Sequence, residues 1–224
     1  YMSKLTSVVV EHNPSAQPIT HTVIWLHGLG ASGHDFEPIV PNLGLAKDTA
    51  VRFIFPHAPK IPVTINNGYV MPAWYDILEM SLNRKVDVAQ IISSSAMIDE
   101  LIDDEIAKGI DSQNIIIAGF SQGGAVAYHN VLTNSRKLGG LLALSTYFAT
   151  FEHIQSIAVN HHIAVKIDHG EFDDIVPKTL GIQAMHHLKS LGLTPIYATY
   201  PMAHQVCLPQ ITSIGDWLNA LIKS

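Results

Sequence analysis

Short apolar runs along the chain alternate with longer stretches in which apolar residues recur every three or four positions. The runs are His21–Leu26 (HTVIWL), Arg52–Phe55 (RFIF), Asn114–Ala118 (NIIIA), Gly140–Leu144 (GLLAL), Ile163–Ile167 (IAVKI) and Ile196–Tyr200 (IYATY). They are four to six residues long and mostly flanked by Gly, Pro or His. That is the pattern of parallel strands covered on both faces. Between them, Asp87–Lys108 sets Val88, Ile91, Ile92, Ile98, Leu101, Ile102 and Ile106 at spacings of three and four, with Gly109 as a C-terminal stop. Gln122–Thr133, Lys178–Leu191 and Pro209–Ile222 follow the same rule, and Gly192 ends the third of these helices. Lys4–Val10 would add an antiparallel edge strand. Alternating β and α elements require right-handed crossovers, so the pattern predicts a mostly parallel sheet with helices on both faces. No repeat or linker divides residues 1–224, and one domain is expected.

Composition narrows the function classes. Of 224 residues, 47% are hydrophobic and 14% charged, enough to bury a large core and too apolar for disorder. Thirteen Lys+Arg against nineteen Asp+Glu give a net charge of −6, which argues against a nucleic-acid footprint. A lone cysteine, Cys207, excludes an internal disulfide and fits a reducing compartment. No apolar stretch approaches the roughly 18 residues of a membrane-spanning helix. The opening YMSKLTSVVVEHNP lacks the long apolar centre and small-residue cleavage site of a signal peptide. A cytoplasmic protein is expected.

The strongest chemical signal is Gly119-Phe120-Ser121-Gln122-Gly123-Gly124, a G-x-S-x-G pattern directly after the strand NIIIA and directly before a helix. Such a turn is tight enough to demand small flanking residues, and it lifts the serine hydroxyl above the sheet. The N–H of Gln122, at the helix start, then points toward a reacting carbonyl. Leu26-His27-Gly28-Leu29-Gly30 follows an early strand, where the second oxyanion donor would lie.

The serine needs a base, and the base an orienting acid, in the chain order Ser, acid, His. The strand IAVKI runs into Asp168, Glu171, Asp173 and Asp174, and the residues themselves leave the acid open among these four. IYATY leads into Pro201-Met202-Ala203-His204, and His204 is the only histidine beyond His187. Metal binding is the competing reading for a chain with thirteen histidines. No HExxH occurs, and the adjacent pairs His161-His162 and His186-His187 point apart on any regular element. Cys207, read as lying away from any helix N-terminus, is expected to be a small hydrophobe rather than a nucleophile. No phosphate-binding or dinucleotide fingerprint is present, so neither metal nor cofactor is expected.

WLHGLGASGHDF, RFIFPHAP, AWYDI, AGFSQGGAVA, HGEFDDIVP and PMAHQV together resemble the bacterial carboxylesterase and acyl-protein thioesterase family, also called phospholipase/carboxylesterase. The likeness runs from about Val23 to the final helix. It implies a single-domain α/β-hydrolase with little or no lid, a Ser-His-Asp triad and an acyl-enzyme intermediate. It further implies substrates that are carboxylic esters, acyl thioesters or lysophospholipids, with transient membrane-surface contact allowed. Position by position, it makes Ser121 the nucleophile, His204 the base and Asp173 the acid, with the N–H groups of Leu29 and Gln122 as oxyanion donors. The family often carries an arginine shortly before the Trp of AWYDI, where this chain reads Met71-Pro72-Ala73-Trp74. Nothing in the sequence sets an oligomeric state. The rival from another class is a catalytically silent hydrolase-fold binding protein.

The segment from Pro56 to Met80 is long for a connection. It carries Pro56, Pro59, Pro62 and Pro72 among many apolar side chains with no sustained helical spacing. It is expected to be a loop packed on the domain, with the part around Trp74 walling an apolar substrate groove that leads to Ser121.

Overall fold

The computed structural model describes residues 4–81 and 84–224; the opening Tyr1-Met2-Ser3 and Leu82-Asn83 lie outside them. In chain order the elements are β1 (Ser7–His12), β2 (His21–Leu26), β3 (Val51–Pro56), β4 (Lys60–Val63), β5 (Tyr69–Pro72), β6 (Ile77–Glu79) and β7 (Lys85–Val86). They continue with α1 (Val88–Ala107), β8 (Ile115–Phe120), α2 (Gln122–Thr133), β9 (Gly140–Leu144), β10 (Val165–Gly170), α3 (Lys178–Ser190), β11 (Ile196–Tyr200) and α4 (Leu208–Lys223). Seven strands form the main sheet in the order β1-β3-β2-β8-β9-β10-β11. All its pairings are parallel except β1 with β3, which runs antiparallel with Ser7 opposite Pro56.

Side-chain alternation along the strands divides the core between two faces. Ile24, Ile117, Leu141 and Ile167 join α1, α2 and α3 in one cluster, while Val23, Ile116, Leu142 and Leu144 join α4 in the other. Helices therefore cover both faces, as the pattern predicts. Helix α1 begins at the N-cap Asp87, whose carboxylate accepts from Gln90 N–H at 3.0 Å, and ends before Gly109 at φ +99°.

Three expectations need correction. Strand β10 continues beyond Ile167 to Gly170, because the polar Asp168 and His169 are buried within it rather than solvated. Asp168 takes a bond from Lys166 at 2.8 Å and from Gln210 of α4 at 3.2 Å. The segment expected as one loop from Pro56 to Met80 instead forms two small antiparallel pairs, β4–β5 and β6–β7. Pro62 and Pro72 fall in the hairpin strands β4 and β5, where a missing N–H is tolerated at an edge, while Pro56 ends β3 and Pro59 lies in the connection before β4. Finally, Cys207 is the N-cap of α4 and so does sit at a helix N-terminus.

Candidate active site

The loops leaving the C-terminal ends of the parallel strands converge on one cleft, where open α/β sheets place their ligands. Ser121 stands between β8 and α2 at φ 54°, ψ −119°, a strained geometry for a residue with a Cβ. The turn closes only because its neighbours lack side chains. A Cβ on Gly119 would lie 2.3 Å from Gly123 O, and one on Gly123 would lie 2.5 Å from Leu26 O. Ser121 N–H donates to Leu144 O at 2.9 Å, and Thr146 Oγ1 donates to Ser121 O at 2.5 Å. The strain is thus held from the neighbouring strand.

His204 Nε2 lies 3.1 Å from Ser121 Oγ, and His204 Nδ1 lies 2.7 Å from Asp173 Oδ2. Phe120 packs against the imidazole with ring centroids 4.8 Å apart. The other oxygen of Asp173 accepts from Ile175 N–H at 3.0 Å and Val176 N–H at 2.8 Å. Burial raises the Asp173 carboxyl, but bonds from His204 and these two amides outweigh it and hold the group below its ordinary 3.8. It stays anionic across the neutral range. Beneath it the buried His169 bonds Val176 O through Nε2 at 2.7 Å, and desolvation lowers its pKa, so it packs as a neutral ring. Of the four carboxylates open in the sequence, the structure brings Asp173 to His204. Asp168 is committed to Lys166 and Gln210, Glu171 pairs with Lys178 at 2.5 Å, and Asp174 is exposed.

Leu29 and Gln122 both line the cleft beside Ser121. Among the described residues neither N–H donates to a protein acceptor. Gln122 opens α2, where the first amides have no intrahelical partner. The Gln122 side chain, which sequence reasoning did not single out, ties the serine turn to the hairpin segment: Oε1 accepts from Trp74 N–H at 2.7 Å and Nε2 donates to Tyr75 O at 2.6 Å. His27 accepts Ala58 N–H at Nε2 (3.0 Å) and so donates through Nδ1 to Gly28 O (2.7 Å). That fixes the loop carrying Leu29.

The cleft has a volume of about 280 Å³. Its apolar wall includes Leu29, Ile65, Ile77, Met80, Ile175 and Val176. Part of the 56–80 segment does wall it, but Trp74 does not. Trp74 is 1% exposed and lies behind the wall, donating its indole N–H to His27 O at 2.8 Å. An amphipathic ring in an apolar segment gives the same sequence signal whether it faces a groove or braces the floor beneath it. Arg84 and Tyr147 also line the cleft and were missed. Tyr147 follows the C-terminal end of β9, the one positional signal that could have found it. Among the described residues no three His, Cys, Asp or Glu side chains converge as metal ligands would, and no helix is long and apolar enough to cross a membrane.

Residues 7–222 match the family described as phospholipase/carboxylesterase. Acyl-protein thioesterase 1 of Neurospora crassa is 38% identical over 217 residues, covering 92% of this chain and 89% of the fungal one. Acyl-protein thioesterase 1 of Gibberella zeae is likewise 38% identical, covering 92% of both chains. The crystal structure of Arabidopsis thaliana SOBER1 superimposes with a TM-score of 0.83 at 30% identity, covering 90% of this chain and 99% of that one. Zea mays acyl-protein thioesterase 2 gives a TM-score of 0.84 at 23% identity, which shows the shared fold, over 97% of this chain and 99% of its own. These relatives are fungal and plant proteins, so the expected family stands without the qualifier bacterial. With its single-domain α/β-hydrolase fold, the chain belongs to the phospholipase/carboxylesterase family of serine hydrolases.

Proposed function

We propose that this chain hydrolyses carboxylic esters and acyl thioesters through an acyl-serine intermediate, with Ser121 as nucleophile, His204 as general base and Asp173 as the acid that orients it. The observation that carries this reading is the unbroken chain of hydrogen bonds from Ser121 Oγ to His204 (3.1 Å) and from His204 to Asp173 (2.7 Å). Ser121 Oγ attacks the acyl carbonyl as its proton passes to His204 Nε2. The Leu29 and Gln122 N–H groups receive the developing oxyanion. The imidazolium, held by Asp173, then protonates the departing alcohol or thiol, leaving the acyl-serine. Water attacks that ester, giving a proton to His204, and collapse of the second tetrahedral intermediate frees the acid and returns the proton to Ser121. No cofactor enters the cycle.

The thioesterase names of the fungal relatives support acylated proteins among the substrates, and the apolar wall of the cleft supports an acyl chain as the group it holds. Lysophospholipids presented at a membrane surface fit the same chemistry. The lone Cys207 supports a cytoplasmic setting.

Ser121→Ala tests the reading. It should cut kcat on an octanoyl ester by a factor on the order of 10⁶, and it should abolish covalent labelling by a fluorophosphonate while leaving the thermal transition in place. A folded Ser121→Ala protein with near wild-type turnover would overturn it. A wild-type protein that neither labels nor turns over would favour the silent binding protein.

A further inference from the structure

Arg84 and Tyr147 are shared between the cleft that holds Ser121 and an adjoining cavity of about 460 Å³. Arg84 sits among Ile77, Met80 and Ile175, with its guanidinium carbon 5.3 Å from the centroid of the Tyr147 ring. It donates to Ile175 O and lies beside Met80 Sδ, while its Nε–H is buried and, among the described residues, has no acceptor. No described carboxylate comes within 4.0 Å of the guanidinium as a salt-bridge partner. Asp174 shares a smaller neighbouring pocket with Arg84, Asp35 lines the cleft and Glu152 the adjoining cavity, and none of the three pairs with it. An arginine serving structure alone normally brings its carboxylate with it, because an uncompensated cation against apolar walls is costly.

Tyr147 supplies a second donor. Its hydroxyl lies 2.6 Å from that of Tyr75, and only one of the two protons can lie between them. Tyr75 is fully buried whereas Tyr147 faces the cleft. When Tyr75 donates to Tyr147, the Tyr147 O–H is left to donate into the cleft. A cation and a hydroxyl donor then line the same space, and no described carboxylate is paired with the cation.

We propose that Arg84 and Tyr147 form an anion-binding subsite, so that the substrate is an acyl ester or thioester carrying a phosphate or carboxylate group apart from the bond that is cut. The guanidinium offers the fork geometry that both oxyanions match. This rests on the hydrolase reading above and adds to it a charge requirement that the apolar wall cannot supply.

Paired substrates test it in two arms. The first compares octanoylglycerol with octanoylglycerol 3-phosphate, placing the anion on the leaving group. The second compares phenyl octanoate with the monophenyl ester of octanedioic acid, placing a carboxylate at the acyl terminus. In at least one arm, the ratio of kcat/KM for the anionic ester over its neutral partner should fall about tenfold in Arg84→Gln and about threefold in Tyr147→Phe. Arg84→Lys should give a ratio between those of the wild type and Arg84→Gln, since the charge remains but the fork is lost. The arm that responds identifies the end of the substrate that carries the anion. Ratios unchanged in both arms, with neutral esters still hydrolysed, would overturn the subsite alone. Turnover of the neutral esters by Ser121→Ala would instead overturn the hydrolase reading beneath it.

Discussion

At the residue scale, neighbouring side chains of the same chemistry are separated by a single position. Asp173 and Asp174 are adjacent carboxylates, yet only the first is buried, bonded to His204 and braced by the Ile175 and Val176 amides. Asp173→Asn should lower kcat by about 10⁴, because an amide favours the wrong imidazole tautomer. Asp174→Asn should leave kcat within about threefold, as befits an exposed group outside the hydrogen-bonded chain. Steady-state kinetics on one ester decides between them, and a reversed order would move the acid by one residue. Trp74 makes the complementary case. Its indole N–H holds His27 O directly before the Gly28-Leu29 turn, so its loss should disturb the loop carrying Leu29 for every substrate alike. Trp74→Phe should therefore reduce kcat/KM for acetyl and octanoyl esters by the same factor. A markedly greater loss on the octanoyl ester would return the ring to the groove wall. The tight turn at Ser121 and the placing of His204 beside it were legible because glycine spacing and chain order are one-dimensional signals. The facing of Trp74 was not, because it depends on what packs behind it.

At the scale of elements, strands whose apolar letters run unbroken were readable nearly to their ends; β9 and β11 fall on the residues their patterns mark. The failures occur where polar letters are buried and paired. Asp168 and His169 look like the start of a loop until Lys166 and Gln210 are seen to hold the first and Val176 O the Nε2 of the second. The bond from Gln210, on the last helix, leaves no local trace in the chain. Glu105 belongs to the same class and joins α1 to two strands. Its carboxylate is 0% exposed and accepts from Thr22 (2.7 Å), Arg52 (2.8 Å) and Lys108 (3.1 Å). Burial pushes its pKa upward, but the bonds from Arg52, Thr22 and Lys108 prevail and hold it below the ordinary 4.5. Glu105→Gln should cost about 2–3 kcal/mol at pH 7, since Arg52 loses its main partner. Because the folded-state pKa is the lower one, that stabilisation is complete above the unfolded value and is lost as pH falls through the folded value. Urea unfolding of both proteins from pH 7 to pH 3 should show the gap closing in acid. A gap that stays constant with pH would mean that shape, and not charge, makes Glu105 stabilising.

At the scale of the whole molecule, loops leaving the main sheet carry Ser121, Asp173 and His204, and the hairpin segment between β3 and α1 supplies part of the apolar wall beside them. The segment is fastened to both halves of the site: Gly30 N–H donates to Pro72 O at 2.8 Å, and Trp74 N–H reaches Gln122 Oε1 at 2.7 Å. Its inner side presents Ile65, Ile77 and Met80 to the cleft, while Tyr69 and Val70 of β5 stand 72% and 62% exposed. A wall so tied is pre-formed, and an acyl chain laid along it gains the burial of each methylene without first ordering a loop. Each added methylene is worth up to about 0.8 kcal/mol, or roughly fourfold in kcat/KM. The rate should therefore climb along a series of 4-nitrophenyl esters from acetate upward and level off once the cleft is filled. Ile77 is 7% exposed and lies in the wall rather than behind it, so Ile77→Ala should flatten the climb while leaving the acetate rate nearly unchanged. If the slope with chain length survives in Ile77→Ala, or is absent in the wild type, the acyl chain must leave Ser121 by another route.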